Sequence, residues 1–457
     1  MPPRPPDEIV ASWPESARAY VALLEETLRQ IISVVEEHDQ ALREAKRQAT
    51  PFRRRESARA KKGKGKGPGR KGGHSAQRRA APPKVDEEVA ASIPSACACG
   101  CTEVVEVGSY EQLQEDFEIV RVTRRITVHV GCCAACGKTC EGEHPFKTSK
   151  ARGAAAHHIG PKAMALATQL HYQEGVPFEK VANIFGELGL PVAKATLVRG
   201  TQRIGMRADP AFEELKAALV NEKVLHIDET GWSLNGEPCY LWVISGATAT
   251  VYFVRKTRSG DEVADFLADF AGVLVTDGHG GYDELGKKLL RALCLLHLRR
   301  NMKSLEDKVT GRSKALARDL TWWLDETITL VGQRDELDPA FFTRRANDLE
   351  KQFFEIINVN STAPANIRMI ERMTKWQDSV LRCLRNPGIP ATNNHAERQI
   401  RPAVVLRKRG GCNRSERGAR TFERLASITA TLRQQGQSVL RWFVTLLTSP
   451  QPPPILA

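Results

Sequence analysis

Three carboxylates stand in short motifs that could do chemistry: Asp228 in VLHIDETGW, Asp277 in VLVTDGHGGY and Glu397 in TNNHAERQIRP. Oxygen-only donor sets suit hard cations such as Mg²⁺, and paired divalent ions activate an attacking oxygen against a phosphodiester. Two strand-end acids and one helix acid would therefore suit metal-dependent chemistry on DNA. A lone Asp before Gly more often opens a turn, so the weight rests on the three occurring together. Cysteine is the second residue type with ligand spacing: Cys97, Cys99 and Cys101 in CACGC, then Cys132, Cys133, Cys136 and Cys140 in GCCAACGKTC. Cys133 and Cys136 form a C-x-x-C followed by Gly137, a tight turn that lets two thiolates face one Zn²⁺. Cys97 and Cys99 are closer than the usual spacing, and Cys101 is an alternative partner to either. The expected ligands of a structural zinc are Cys97, Cys99, Cys133 and Cys136. A redox pair or plain buried thiols are the competing readings.

The elements that must position these groups follow from the local pattern. Asp228 and Asp277 each follow a β-branched apolar run, which predicts a buried strand ending at or just before each acid. Glu397 lies among helix formers without a strand period, so a helix should carry it together with Asn394, Arg398 and Arg401. Glu229 points to the face opposite Asp228 if that strand continues, and is a weaker candidate ligand. YLWVISGA and TVYFVRKT predict the second and third strands of an antiparallel meander. A helix from Asp261 to Phe270 and a fourth strand, GVLVTD, follow. From His297 to about Pro390 the period is helical, with Trp322, Trp323 and Trp376 as core residues or as stacking platforms for DNA. CLLHLRR sets Cys294, His297 and Arg299 close together; Cys294 reads as structural. After Glu397 come Arg407, Lys408 and Arg409, suited to phosphate contacts.

The N-terminal part reads differently. Val21, Leu24, Leu28, Ile31, Val35, His38 and Leu42 fall on alternating a and d positions of a short zipper, which would either dimerise or dock on its own chain. From there to Arg79 the chain is strongly basic, with Arg53, Arg54 and Arg55 followed by KKGKGKGPGRKGG. Alternating glycine excludes a helix, so this is a disordered tether that grips phosphates or merely solubilises. A strand-rich stretch is expected between the two cysteine groups. Short apolar periods from Ile159 to Gly205 predict small helices, and Lys194, Arg199 and Arg203 on KATLVRGTQRIG would face DNA if these formed a helix-turn-helix. The chain has 457 residues, a formal charge of +13 and 41% apolar content. That allows several domains and points to a polyanionic partner. Without a long apolar run or signal-peptide core, a cytoplasmic, nucleoid-associated protein with reduced thiols is expected.

HIDETGW, TDGHGGY, CLLHLRR, TNNHAERQIRP and RKRGGCNRSERGA, in that order, resemble the transposases of the bacterial insertion sequence 66 family. The likeness runs from about Glu25 to Ser438. It implies a ribonuclease H-like core whose catalytic and metal-binding triad is Asp228, Asp277 and Glu397, holding two Mg²⁺ or Mn²⁺ ions. It also implies an N-terminal zipper, a zinc domain, a helical insertion, and roles lining the DNA or the active site for His297 and Arg299. Double-stranded DNA, a second copy of the chain and accessory proteins of the same element are the implied partners. The fold expected is multidomain α+β: a coiled-coil helix (15–50), a basic linker (51–92), a zinc-ribbon-like domain (93–148) and a helix-turn-helix-like domain (155–215). A ribonuclease H-like α/β catalytic core (220–435), with its helical insertion at about 300–390, precedes a tail (436–457). A DNA-binding regulator without cleavage, and a nuclease that does not join ends, are the alternatives.

Overall fold

The computed structural model describes residues 12–15, 17, 21, 27, 84–117, 119–147, 149–150, 152, 158–283 and 289–456. Of the zipper positions only Val21 is among these, and it is helical; Leu24 to Leu42, together with Arg53, Arg54, Arg55 and the basic tract to residue 83, lie outside the described residues. The chain divides into two compact units, Met1–Val120 and Arg121–Ala457.

In the first unit, residues 84–117, 119 and 120 run as turns, bends and irregular chain, without helix or strand. The strand-rich stretch expected after the first cysteines is thus absent there. Val105, Val107, Tyr110 and Phe117 are exposed. An alternating pattern alone does not make a strand when no neighbour satisfies its backbone. In the second unit the cysteine-rich segment forms a small hairpin, β1 (Val130–Cys132) against β2 (Thr139–Glu141).

Four helices follow: α1 (Pro161–Tyr172), α2 (Phe178–Glu187), α3 (Lys194–Arg207) and α4 (Asp209–Val220). Their apolar stripes pack against one face of a sheet rather than closing a bundle of their own, with Leu197, Ile204, Leu215 and Leu219 in the same core as Leu225, Ile227, Trp242 and Ile244. That sheet has five strands: β3 (Val224–Leu234), β4 (Glu237–Ser245), β5 (Thr250–Arg255), β6 (Val273–Thr276) and β7 (Leu290–Leu293). Their order is β5-β4-β3-β6-β7, with β3–β4–β5 antiparallel and β3–β6–β7 parallel. The meander and fourth strand read from sequence are all present, and β7 is an addition. The helix expected from Asp261 to Phe270 is shorter, α5 (Asp261–Ala264). Beyond it the backbone tightens into three-residue turns, as in Phe270 N–H to Leu267 C=O at 3.1 Å.

The helical segment after β7 comprises α6 (Leu295–Glu306), α7 (Lys314–Gly332), α8 (Pro339–Ile357), α9 (Pro364–Lys375) and α10 (Gln377–Arg385). It builds a second core on β6 and β7 that buries Trp323 and Trp376, while Trp322 is exposed. The chain then returns to the sheet through α11 (Asn394–Gly410), α12 (Glu416–Gln434) and α13 (Val439–Thr448). The segment 436–457, read as a tail, instead buries Trp442, Phe443 and Leu446 in the first core.

Helix α12 closes the sheet's free edge. Glu423, Ser427 and Thr431, four residues apart, accept the backbone N–H groups of Val254, Tyr252 and Thr250 on β5 at 2.7, 2.9 and 3.0 Å. Four helical residues rise about 6 Å and two strand residues about 6.6 Å, so the two ladders stay in step. An edge that could pair with another chain is satisfied from within.

Candidate active site

Asp228 sits in the middle of the central strand, not at its end. Residues Glu229 to Leu234 go on pairing with Glu237 to Trp242 of β4, so the strand continues past the acid. Alternation along β3 sends Leu225, Ile227 and Glu229 to the α1–α4 face, and His226, Asp228 and Thr230 to the face covered by α11. Asp277 is the first residue beyond β6. The parallel register His226↔Val275, carried two residues on, brings it alongside Asp228. Its Oδ1 accepts the His279 N–H at 2.9 Å. Arg291, 5% exposed, fixes the same turn by donating to Thr276 Oγ1 at 2.7 Å and to the Asp277 carbonyl at 2.8 Å.

Glu397 arrives on the first turn of α11, as expected. Asn393 anchors that turn: fully buried, it donates Nδ2 to the Ile227 carbonyl at 2.7 Å and its backbone N–H to Cys294 Sγ at 3.1 Å. Its Oδ1 meets His226 Nδ1 at 2.9 Å. Cys294 is thus structural. Glu397 Oε1 has no hydrogen-bond partner although buried. It is approached by His297 Nε2 at 3.8 Å and Arg300 Nη2 at 3.7 Å.

The acids share one electrostatic field. Burial, then Glu229, then Asp277, with a further push from Glu397, raises the Asp228 carboxyl well above its usual range. Burial, then Arg300, holds His297 below the usual imidazole range, against the pull of Asp277 and Glu397. Among the described residues, no three His, Cys, Asp or Glu side chains stand close enough as placed to hold a metal ion. The donor set nevertheless fits a hard divalent cation in kind. It is all oxygen, its charges repel one another, and one oxygen at its centre is unsatisfied.

The structure redistributes the cations read from sequence. Arg299 does not face the acids: it forms a two-pronged pair with Asp325 on α7, with Nη2 to Oδ2 at 2.8 Å. Arg300 faces them instead. The spacing offered that signal, since His297 and Arg300 are three apart on one helix and share a side. Arg407 is half-buried and ties α11 to β3, its Nη1 donating to Thr230 Oγ1 at 3.2 Å and to the Gly231 carbonyl. Asn394 opens the helix, and Arg398, Arg401, Lys408 and Arg409 lie along it, all four exposed. Lys194, Arg199 and Arg203 are exposed on α3, whose other side is packed inward. Cys97 and Cys99 lie in the first unit, and Cys133 and Cys136 in the second, where the Cys133 N–H donates to Lys138 C=O at 2.8 Å around Gly137 (φ 68°).

A mixed sheet presenting paired acids at its centre, with a third returned on a covering helix, defines a candidate phosphoryl-transfer site. The chain belongs to the transposase IS66 family, whose sequence model matches residues 157–421. It is similar to three proteins of Sinorhizobium fredii that carry only the name uncharacterized protein. Y4qI is 26% identical over 313 residues, 61% of this chain and 57% of that protein; y4jD is 23% identical over 397 residues, 77% and 74% respectively. Y4hP is 20% identical over 403 residues, 79% of this chain and 71% of that protein. The chain thus spans little more than half the length of y4qI. Among the described residues no helix is long and apolar enough to cross a membrane.

Proposed function

We propose that this chain is a DNA transposase that cleaves transposon ends and joins them to target DNA, with Asp228, Asp277 and Glu397 as its catalytic acids. What supports the reading is placement: the β3–β6 register sets Asp277 beside Asp228, and Asn393, at the start of the helix that carries Glu397, is hydrogen-bonded to Ile227 next to Asp228. The strand order, with the third acid on a helix laid over the central strand, supports a ribonuclease H-like core. Asp228, Asp277 and Glu397 would hold two Mg²⁺ or Mn²⁺ ions. When bound, such a pair supplies an activated attacking oxygen and relief of charge on the leaving 3′-oxygen.

The chain's own groups do the positioning. Asn393 holds the start of α11 to β3, so Glu397 approaches Asp228 on a fixed path. Exposed Arg398, Arg401 and Arg409 on α11 supply a run of cations for DNA phosphates, and Arg300 supplies one at the acids themselves. Because the carboxylates would hold metal rather than attack phosphorus, no covalent enzyme–DNA intermediate is expected. Dimerisation through the N-terminal heptads, structural zinc and accessory proteins of the same element belong to the same proposal. Cleavage and strand transfer with the element's end DNA in Mg²⁺ tests it, comparing the native chain with Asp277→Ala. Loss of both reactions with DNA binding retained is expected. Activity surviving in Asp277→Ala would remove the triad assignment, and binding without reaction in either protein would favour a non-cleaving DNA-binding role.

A further inference from the structure

A fourth carboxylate, Glu229, stands next to Asp228 in sequence and on the other face of β3. Its side chain is 1% exposed, and both of its oxygens are taken. Oε1 accepts from Arg258 Nε, and Oε2 accepts from the Tyr282 hydroxyl. A buried carboxylate held by a guanidinium and a phenol would have to break both bonds to reach a metal. Arg258 does not end at Glu229. Its Nη2 lies 3.7 Å from Asp277 Oδ2, while Asp277 Oδ1 is already taken by the His279 N–H. The loop carrying Arg258 is itself seated on the turn after Asp277. Gly260 N–H donates to the Gly281 carbonyl at 2.9 Å, and a Cβ on Gly281 would come within 2.6 Å of the Arg258 carbonyl oxygen. Backbone and side chain alike therefore hold this guanidinium at one edge of the Asp277 carboxylate.

We infer that Glu229 and Arg258 form a buried positioning arm for Asp277, and that Glu229 is not itself a metal ligand; this rests on the metal-centre reading proposed above. The arm has two parts with opposite electrostatic effects. Arg258 restricts the rotation of the Asp277 carboxylate, but its positive charge disfavours a cation there. Glu229 offsets that charge, so orientation is kept without the repulsion. Groups that orient ligands from behind are worth roughly 10- to 100-fold in metal affinity.

The charge logic gives a test that needs no DNA: Mn²⁺ titration of the full chain, followed by the loss of the free-ion paramagnetic resonance signal. Glu229→Gln leaves Arg258 uncompensated and should weaken Mn²⁺ binding about tenfold. Glu229→Gln combined with Arg258→Gln removes the uncompensated charge but also the orientation of Asp277, so it should bind Mn²⁺ more tightly than Glu229→Gln alone while staying weaker than the native chain, a coupling that a merely structural role would not produce. Tyr282→Phe keeps the ion pair, should change affinity less, and serves as the folding control for this buried cluster. Glu229→Gln that abolishes binding as fully as Asp228→Asn, without rescue in the double variant, would make Glu229 a ligand and overturn the inference. An unchanged affinity in Glu229→Gln would overturn it too. Should Asp228→Asn and Asp277→Asn also leave Mn²⁺ binding intact, the metal centre itself fails, and the arm with it.

Discussion

The side-chain amide of Asn393 donates to the backbone carbonyl of Ile227 at 2.7 Å, one residue before Asp228. One buried hydrogen bond thus joins the helix that carries the third acid to the strand that carries the first. These residues are 166 positions apart in the chain, with the whole helical insertion between them.

Asn393→Ala should therefore act on fold and chemistry together. It leaves the Ile227 carbonyl without this donor and the His226 ring without its partner, in a fully buried place. An unsatisfied buried group costs about 1–3 kcal/mol. Urea unfolding should register a loss of that size. End cleavage should fall further than stability alone accounts for, because Glu397 loses its fixed approach. Unchanged unfolding and full cleavage would show that the contact fixes nothing.

What was legible in the sequence depended on how local each cause was. The strand before Asp277 and the helix of Glu397 follow from residues within one turn or one strand, and both are where the pattern puts them. Asp228 is expected at a strand end because the β-branched apolar run stops just before it. The strand continues because β4 lies opposite, a partner outside the window. Arg299 and Arg300 are adjacent and chemically alike; the three-residue spacing from His297 marks Arg300 as the one on the acids' side, and Asp325 on the next helix holds Arg299 away from them. The Asn393 contact and the Glu423–Ser427–Thr431 ladder along β5 are long-range pairings with no local mark. Residues 84–120 fail in the opposite sense: a strand-rich stretch is expected after the first cysteines, and among the described residues there no strand forms.

Stability should fall as the pH drops below neutral, and His171 is one cause. Its ring is stacked on Phe178 at 3.7 Å between centroids, and its Nδ1–H donates to the Val176 carbonyl at 2.9 Å. Burial brings its pKa from 6.5 to about 4. The folded-state value lies below the unfolded one, so the unfolded chain takes up the proton first as the pH falls. The contribution is therefore whole above about pH 6.5 and is lost on the way down to about 4. By pH 5 this amounts to at most about 2 kcal/mol. His171→Gln should unfold with a weaker pH dependence between 7 and 5 than the native chain; equal slopes would remove His171 as a source.

The turn at Cys133 and Cys136 has a shape suited to a thiolate pair, with its hairpin strands on either side and Gly137 left-handed at its corner. Purified without chelators, the chain should carry about one zinc, as expected of a structural thiolate site. Metal analysis of a Cys133→Ser, Cys136→Ser variant should find it lost. Full zinc content in that variant would place the metal elsewhere, and a native chain with none would end the zinc reading of this turn.

Arg299 and Arg300 separate a structural cation from a DNA-facing one. Arg299 is about half exposed and paired with Asp325, an equally exposed partner. Surface pairs of this kind contribute about 0–1 kcal/mol, so Arg299→Ala should alter unfolding slightly and leave the salt dependence of DNA binding as it is. Arg300 is 60% exposed, and its guanidinium lies 3.7 Å from the unsatisfied Glu397 Oε1. Were Glu397 to hold a cation as proposed, the Arg300 guanidinium would be free to meet a phosphate entering the site. Each phosphate contact adds about 0.9 to the slope of log affinity against log salt. Arg300→Ala should lower that slope by about one and reduce end cleavage, with unfolding unaffected. The reverse pattern, with Arg299→Ala changing the slope and Arg300→Ala silent, would mean that α6 presents its other side to DNA.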